Sequence, residues 1–428
     1  MRTLAHIRQL ARRAARQNAL ETFDLTAAVR AAQLRDVPPS LWDELHSHLD
    51  HNPALGLALA RTLHAVSRRA RKPRLRATAD LALMRALNVC GEFYQAAQLS
   101  AAAARRFEKL GDAENVARVW FEAAWAETYL GNLETAENYL ERAQIQNLSA
   151  AQWTAQRDWL RARILRERGN YAEACELFSR VRAFYLAQRA QPAAQRALRE
   201  IGHTRARMNP SAALKPLRAA RAFFRRAHYP LECALCDYYL AQALMDLNRF
   251  GQAEAHLRQA QTVFRAHAAR FFDGYCDIDF GYLAWLVDDP ARMLEFSRNG
   301  YAVFTPLYAV QELATCQINI GVALMELNRY DEAIPFFEDA FRQADAGCRR
   351  LKAANCLLNL ARIFATQGQY AQALQRLQRA RDIFRRAANT ELTIRCELRL
   401  ANVYLQLNDL KQTRASIAAA YRLAQREK

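Results

Sequence analysis

The sequence is poor in the residues that interrupt helices, with 13 Gly and 11 Pro in 428 positions. That scarcity leaves little material for the tight turns of a sheet protein, and the Ala, Leu, Arg and Gln runs between the few turns favour helix. No apolar run approaches the roughly 18 residues of a membrane-spanning helix. The first segment, MRTLAHIRQLARRAARQNAL, lacks the apolar core of a secretory signal. Its Arg-rich, acid-free character is closer to a transit peptide, and it is read as a capping helix in a cytoplasmic protein. Acidic residues are also in deficit, 43 against 61 Lys and Arg, for a formal charge of +18. Charge of this sign attracts acidic partners, nucleic acid or anionic lipid, although a coding sequence rich in G and C raises Arg and Ala together without any such function. Nine cysteines, an odd number, fit reduced thiols better than a disulfide framework.

What the sequence has is a period. GNYAEA at Gly169 returns as GQYAQA at Gly368, and related turns open at Gly91, Gly131, Asn248, Asn328 and Asn408. Weaker copies stand at Met208 and Asp288, and a fainter one at His51. From His51 to Asn408 the spacings are 40, 40, 38, 39 and then 40 residues throughout. A fixed period of this length argues for one continuous array rather than separate globular domains. The expected organisation is an N-terminal helical cap over residues 1–51. A solenoid of about nine repeats follows over 52–428, with turns near 91, 131, 169, 208, 248, 288, 328, 368 and 408.

Each unit reads as two amphipathic helices around the recurring turn. Gly, Asn or Asp occupies the turn because the chain must leave the right-handed region there, and Met208 is the exception, with Asn209 expected to take the role one residue on. Five residues after the turn comes Ala (Ala96, Ala136, Ala174, Ala213, Ala253, Ala333, Ala373), and seven before it Ala or Gly. Small side chains at these places let the two helices approach closely. Such a hairpin cannot bury its apolar faces alone, so neighbours supply the missing surface at about 2 kcal/mol per large side chain.

Small residue, Gly or Asn, aromatic and Ala at these offsets resemble the tetratricopeptide repeat, whose usual period is about 34 residues. The resemblance implies an all-α, right-handed α-solenoid superhelix of stacked helix-turn-helix repeats. The longer period is similar to that of the arrays in MalT-type bacterial transcriptional regulators and in bacterial CHAT-domain (caspase-like) proteins. The segment NPALGLALARTLHAVSRRARKPRLRATADLALMRALNVCGEFYQAA from Asn52 looks like the start of a CHAT-linked array. The resemblance also implies a concave face lined by the first helix of each pair. Carried onto this chain residue by residue, that face comprises Tyr238, Gln242, Asp279, Tyr282, Trp285, Asn319, Met325, Asn359, Arg362, Arg399 and Asn402. Amide groups there suit the backbone of an extended peptide, and Arg grips carboxylates in bidentate fashion.

Candidates for catalysis are few. Cys236, Cys276, Cys316, Cys356 and Cys396 stand 40 apart. Packed helices lie about 8 to 10 Å apart and a disulfide needs Cα atoms within about 7 Å, so these are expected to be buried core thiols. Cys233 and Cys236 form a CxxC without a second pair. His46, His48 and His51 spread over several faces of one helix. No nucleophile elbow, P-loop, dinucleotide fingerprint or zincin sequence occurs, and the His-Gly and Cys motifs of a CHAT protease have no counterpart. The reading is therefore a non-enzymatic scaffold or adaptor, without cofactor or metal, that binds a protein or extended peptide, acidic ones included. The alternative is the regulatory or sensor arm of a larger bacterial effector of CHAT or MalT type. Self-association is expected through the C-terminal helix, whose face has no polar cap. Nucleic acid is a weaker expectation, because Phe121, Trp125, Tyr129 and Trp159 are segregated from the basic clusters near residue 70, at Lys215 and at Arg376, and a single-strand binder interleaves the two.

Overall fold

The computed structural model describes residues 39–70, 72–143, 151–346 and 349–425; the capping helix expected at the start of the chain lies outside them. Among the described residues all regular structure is helical. The chain forms two compact units, Met1–Asp279 and Phe280–Lys428.

In unit one α1 (Pro39–His51) pairs with α2 (Pro53–Ala70), α3 (Pro73–Cys90) with α4 (Phe93–Lys109), and α5 (Ala113–Leu130) with α6 (Leu133–Arg142). The series continues with α7 (Ala151–Glu167) and α8 (Tyr171–Ala187), α9 (Gln191–Ala206) and α10 (Pro210–Arg226), and α11 (Pro230–Asp246) and α12 (Phe250–Ala266). Helix α13 (Arg270–Leu286) contributes to both units. Unit two contains α14 (Pro290–Phe304), α15 (Val310–Glu326) with α16 (Tyr330–Ala346), α17 (Arg350–Thr366) with α18 (Tyr370–Arg386), and α19 (Thr390–Gln406) with α20 (Leu410–Gln425). Within each unit the second helix of a hairpin packs on the first helix of the next.

The turns show why the period carries Gly and Asn. Gly91 (φ 81°), Gly131 (73°), Gly169 (87°), Asn248 (58°), Asp288 (57°), Asn328 (58°), Gly368 (76°) and Asn408 (57°) are all left-handed. That geometry lets the following N–H reach back to the helix end, as Glu92 N does to the Leu87 carbonyl at 2.9 Å. At Met208 the expectation fails in detail. Asn209 does not adopt the left-handed form; it is extended (φ −152°), and its side chain accepts from the amides of Ser211 and Ala212 as the N-cap of α10.

The small-residue columns are closed contacts. Ala96, Ala174, Ala253, Ala333 and Ala373 are fully buried. A Cβ on Gly321 would come 2.8 Å from the Phe337 ring, so the ring fills the space the glycine leaves. The five cysteines at the 40-residue period are buried and form no disulfide, and burial pushes the Cys356 and Cys396 thiols up to about 12.

Beside that column runs an acidic one that the sequence reading passed over. Asp237 receives Arg221 Nε at 2.6 Å and lies 2.6 Å from His256 Nδ1. Asp277 receives Gln261 Nε2 at 2.8 Å, and Glu397 receives Arg385 at 3.4 Å. Each buried carboxylate sits near the middle of a first helix and takes a donor from the second helix of the preceding hairpin. Successive hairpins are thus joined by a charge contact as well as by apolar packing.

Candidate functional site

The residues expected to face a groove divide between the two units and meet different fates. In unit one Tyr238 is buried, and Gln242 donates from Nε2 to Tyr238 Oη at 2.9 Å and to Asp279 Oδ2 at 3.0 Å. Burial raises the Asp279 carboxyl to about 6, against the hydrogen bonds from Gln242 and Tyr238, which lower it. These three groups satisfy one another and present no free donor row.

Other charges in unit one are sealed in the same way. Arg166 donates to Glu200 at 2.6 Å, Arg199 contacts both Glu200 and Glu232, and Arg196 reaches Glu232 at 2.5 Å and Asp50 at 2.7 Å. Burial alone would raise the Glu200 carboxyl, but Arg166 and Arg199 hold it well below the usual range. Arg163 lies over the Tyr129 ring at 4.2 Å and the Trp125 ring at 5.0 Å. Tyr129 in turn stacks on Phe93 at 4.1 Å, and Phe93 meets Phe271 edge-on at 4.8 Å. Phe121, Trp125, Tyr129 and Trp159 are therefore parts of packed clusters. His46 and His48 make local contacts with Trp42 and Glu44, while His51 packs on Tyr229 at 4.7 Å. Among the described residues no group of three or more His, Cys, Asp or Glu could hold a metal ion.

Unit two is open. Tyr282 and Trp285, on the last turns of α13, stack at 5.8 Å and are 41% and 49% exposed. Asn319 on α15, Asn359 on α17 and Arg399 on α19 hold the same place in three successive first helices, all half-buried. Met325 does not join them. It is 4% exposed and packs in the core with Ala323 and Leu324, although Trp285, at the same place before its own turn, is exposed.

Arg362, Arg399 and Asn402 come together at a cleft of about 380 Å³ that Thr366, Tyr370 and Gln406 help to line. Arg362 holds Glu326 of the preceding hairpin at 2.7 Å. Arg399 differs, since its Nε is buried without an acceptor among the described residues. Burial first, then the charges of Arg362 and Arg395, hold its guanidinium below the ordinary range. A bound carboxylate would reverse both effects by supplying an acceptor and a counter-charge. The sequence reading named Arg362, Arg399 and Asn402 but missed Glu326, Thr366 and Gln406. Their signal was available, because Glu326 stands 36 residues before Arg362, close to the repeat length.

The stacked hairpins with their recurring turn define an all-helical repeat class whose first helices form a continuous side-chain row within a unit. The family model for the tetratricopeptide repeat matches residues 312–386 and 357–426, and a second one matches residues 117–144. These segments of the chain are tetratricopeptide repeats. The match is to the repeat and says nothing of the CHAT-linked or MalT-type likeness. No curated protein matches the sequence.

Solved structures share the fold at low identity. The apo form of the quorum sensor NprR from B. thuringiensis is 11% identical with a TM-score of 0.55, covering 78% of this chain and 97% of its own. The Rap conjugation gene regulator of plasmid pLS20, in complex with the Phr* peptide, is 11% identical with a TM-score of 0.50, covering 81% and 94%. A STAND signal-transduction ATPase with a tetratricopeptide-repeat sensor, PH0952 from Pyrococcus horikoshii, is 12% identical with a TM-score of 0.53, covering 88% and 66%. Among the described residues no helix is long and apolar enough to cross a membrane.

Proposed function

We propose that this chain binds an extended peptide, free or as a segment of a protein, along the first helices of unit two, and performs no chemistry on it. The observation that carries this reading is Arg399, a guanidinium with a buried, unmatched Nε in a cleft beside a second guanidinium. Such a pair holds a carboxylate in the cleft, Asn359 and Asn319 offer amides to the peptide backbone, and the exposed rings of Tyr282 and Trp285 receive an apolar side chain. The peptide complex of the Rap regulator supports this use of the fold. The sensor that PH0952 carries supports a second reading, in which the same row serves a larger signalling protein.

The test is an array of immobilised short peptides probed with the wild-type chain and with Arg362→Ala/Arg399→Ala. Capture of a carboxylate-bearing subset by the wild type, lost in the variant, is the expected result. If no peptide is captured, or if capture is equal for both proteins, the reading fails.

A further inference from the structure

Helix α10 carries four cations with no carboxylate to answer them. Lys215, Arg218, Arg225 and Arg226 are all exposed, and among the described residues none has an ion-pair partner. Advancing 100° per residue, they fall on one stripe of the helix that runs about 16 Å along its axis. Helix α8, which with α10 packs on α9, adds exposed Arg180, and the turn after it adds Arg189. The exposed acids of α8, Glu173 and Glu176, lie in its N-terminal half, away from that turn.

Helix polarity accounts for part of this. Basic residues favour helix C-termini because the helix dipole is negative there, and Arg225 and Arg226 are C-terminal. Elsewhere, however, the same position is neutralised. Arg265, the counterpart of Arg225 one hairpin on, donates to Asp273 at 2.9 Å, whereas the residue matching Asp273 beside Arg225 is Cys233. Lys215 and Arg218 lie in the body of α10, outside the last turn where the dipole would favour cations.

From this we infer that the exposed stripe of α10 is a docking surface for the phosphate backbone of a nucleic-acid duplex, separate from the peptide row of unit two. The surroundings of the stripe choose among polyanions. A membrane surface would call for exposed large apolar side chains on the same helix, and α10 has none. Single-stranded nucleic acid would call for exposed aromatic platforms, and α8, α9 and α10 expose no aromatic side chain. Arg-rich charge without stacking or wedging groups suits duplex phosphates, which Arg forks engage without reading sequence.

The experiment is fluorescence anisotropy of a labelled DNA duplex against the full chain between about 50 and 200 mM salt. Two charge-matched variants are compared, Lys215→Gln/Arg218→Gln/Arg225→Gln/Arg226→Gln and Arg386→Gln/Lys411→Gln/Arg414→Gln/Arg422→Gln, each checked for native helicity. Expected is duplex binding whose log–log salt slope becomes shallower by about 3 to 4 in the α10 variant, at roughly 0.9 per lost phosphate contact, and changes little in the other. An absence of duplex binding at about 50 mM salt would overturn the inference. So would equal losses in both variants, which would mark a net-charge effect. Tighter binding to a single strand, or binding only to phosphatidylserine-containing vesicles, would overturn it as well. Peptide capture by the α10 variant should be unchanged, so failure here leaves the peptide reading standing, and the reverse.

Discussion

Arg399 follows Arg362 one hairpin along the same row, yet only Arg362 among the two has a carboxylate, Glu326, at 2.7 Å. The cleft between them therefore holds one compensated and one uncompensated guanidinium. This asymmetry makes the site readable by mutation. Arg399→Met should weaken a carboxylate-bearing peptide by about 2 kcal/mol, roughly thirtyfold, without lowering thermal stability, since the charge it removes has no partner to lose. Glu326→Gln should do the opposite to affinity, because Arg362 becomes free for the ligand. Calorimetric titration of both variants decides; a stability loss in Arg399→Met without an affinity change would make Arg399 structural.

Asp279 links pH to the stability of unit one. Its folded carboxyl titrates at about 6 against an ordinary value of 3.8. Between the two the folded chain holds a proton that the unfolded chain has released, so raising the pH through that window removes stability, by at most about 3 kcal/mol. Below the window both states are protonated, and above it the full penalty stands. Asp279→Asn keeps an acceptor for Gln242 and removes the titration. Denaturant melts should therefore show the variant gaining on the wild type from pH 4 to pH 7, and parallel curves would refute the assignment.

Glu200 is the opposite case, a buried carboxylate that its arginines hold ionised. Glu200→Gln would leave Arg166 and Arg199 short of a counter-charge and should cost about 3 to 5 kcal/mol in urea unfolding of unit one. A loss below about 1 kcal/mol would mean the network relaxes around its neighbours.

Gly321 and Phe337 are fitted to each other. Gly321→Ala places a Cβ against the ring and should destabilise unit two by about 1 to 3 kcal/mol. Adding Phe337→Leu should recover part of that loss, which a double-mutant cycle in thermal melts would measure. Additive losses would place the strain elsewhere.

Ala388 stands in a left-handed turn (φ 51°) with a Cβ that this conformation penalises. Ala388→Gly should accordingly stabilise the fold by up to about 1 kcal/mol, although Gly normally weakens helical proteins. A lower melting temperature would show that neighbouring contacts, rather than the dihedral, hold this turn.

Much of the fold could be read from spacing alone. Gly91, Asn248 and Asn328 mark left-handed turns because few other residues tolerate them, and the Ala columns mark close helix approach because a larger Cβ group would clash. The second set of turns left no such mark. Arg189, His228, Ala268, Tyr308 and Ala388 are also left-handed, yet nothing in their side chains requires it; packing of the next hairpin imposes it. The acidic column was legible in principle, lying one residue after the cysteines, but a carboxylate's burial is invisible until its donor on another helix is in place.

By itself the sequence determined that forty-residue helical hairpins follow one another, where each reverses, and which side chains recur on the first helix of each. Those features are local or periodic, and periodicity survives without coordinates. Only the tertiary structure decided that Tyr238, Gln242 and Asp279 satisfy one another while Arg362, Arg399 and Asn402 share an open cleft. Equivalent positions carry equal sequence signals, but whether a polar group is free depends on which partner the neighbouring hairpin brings to it.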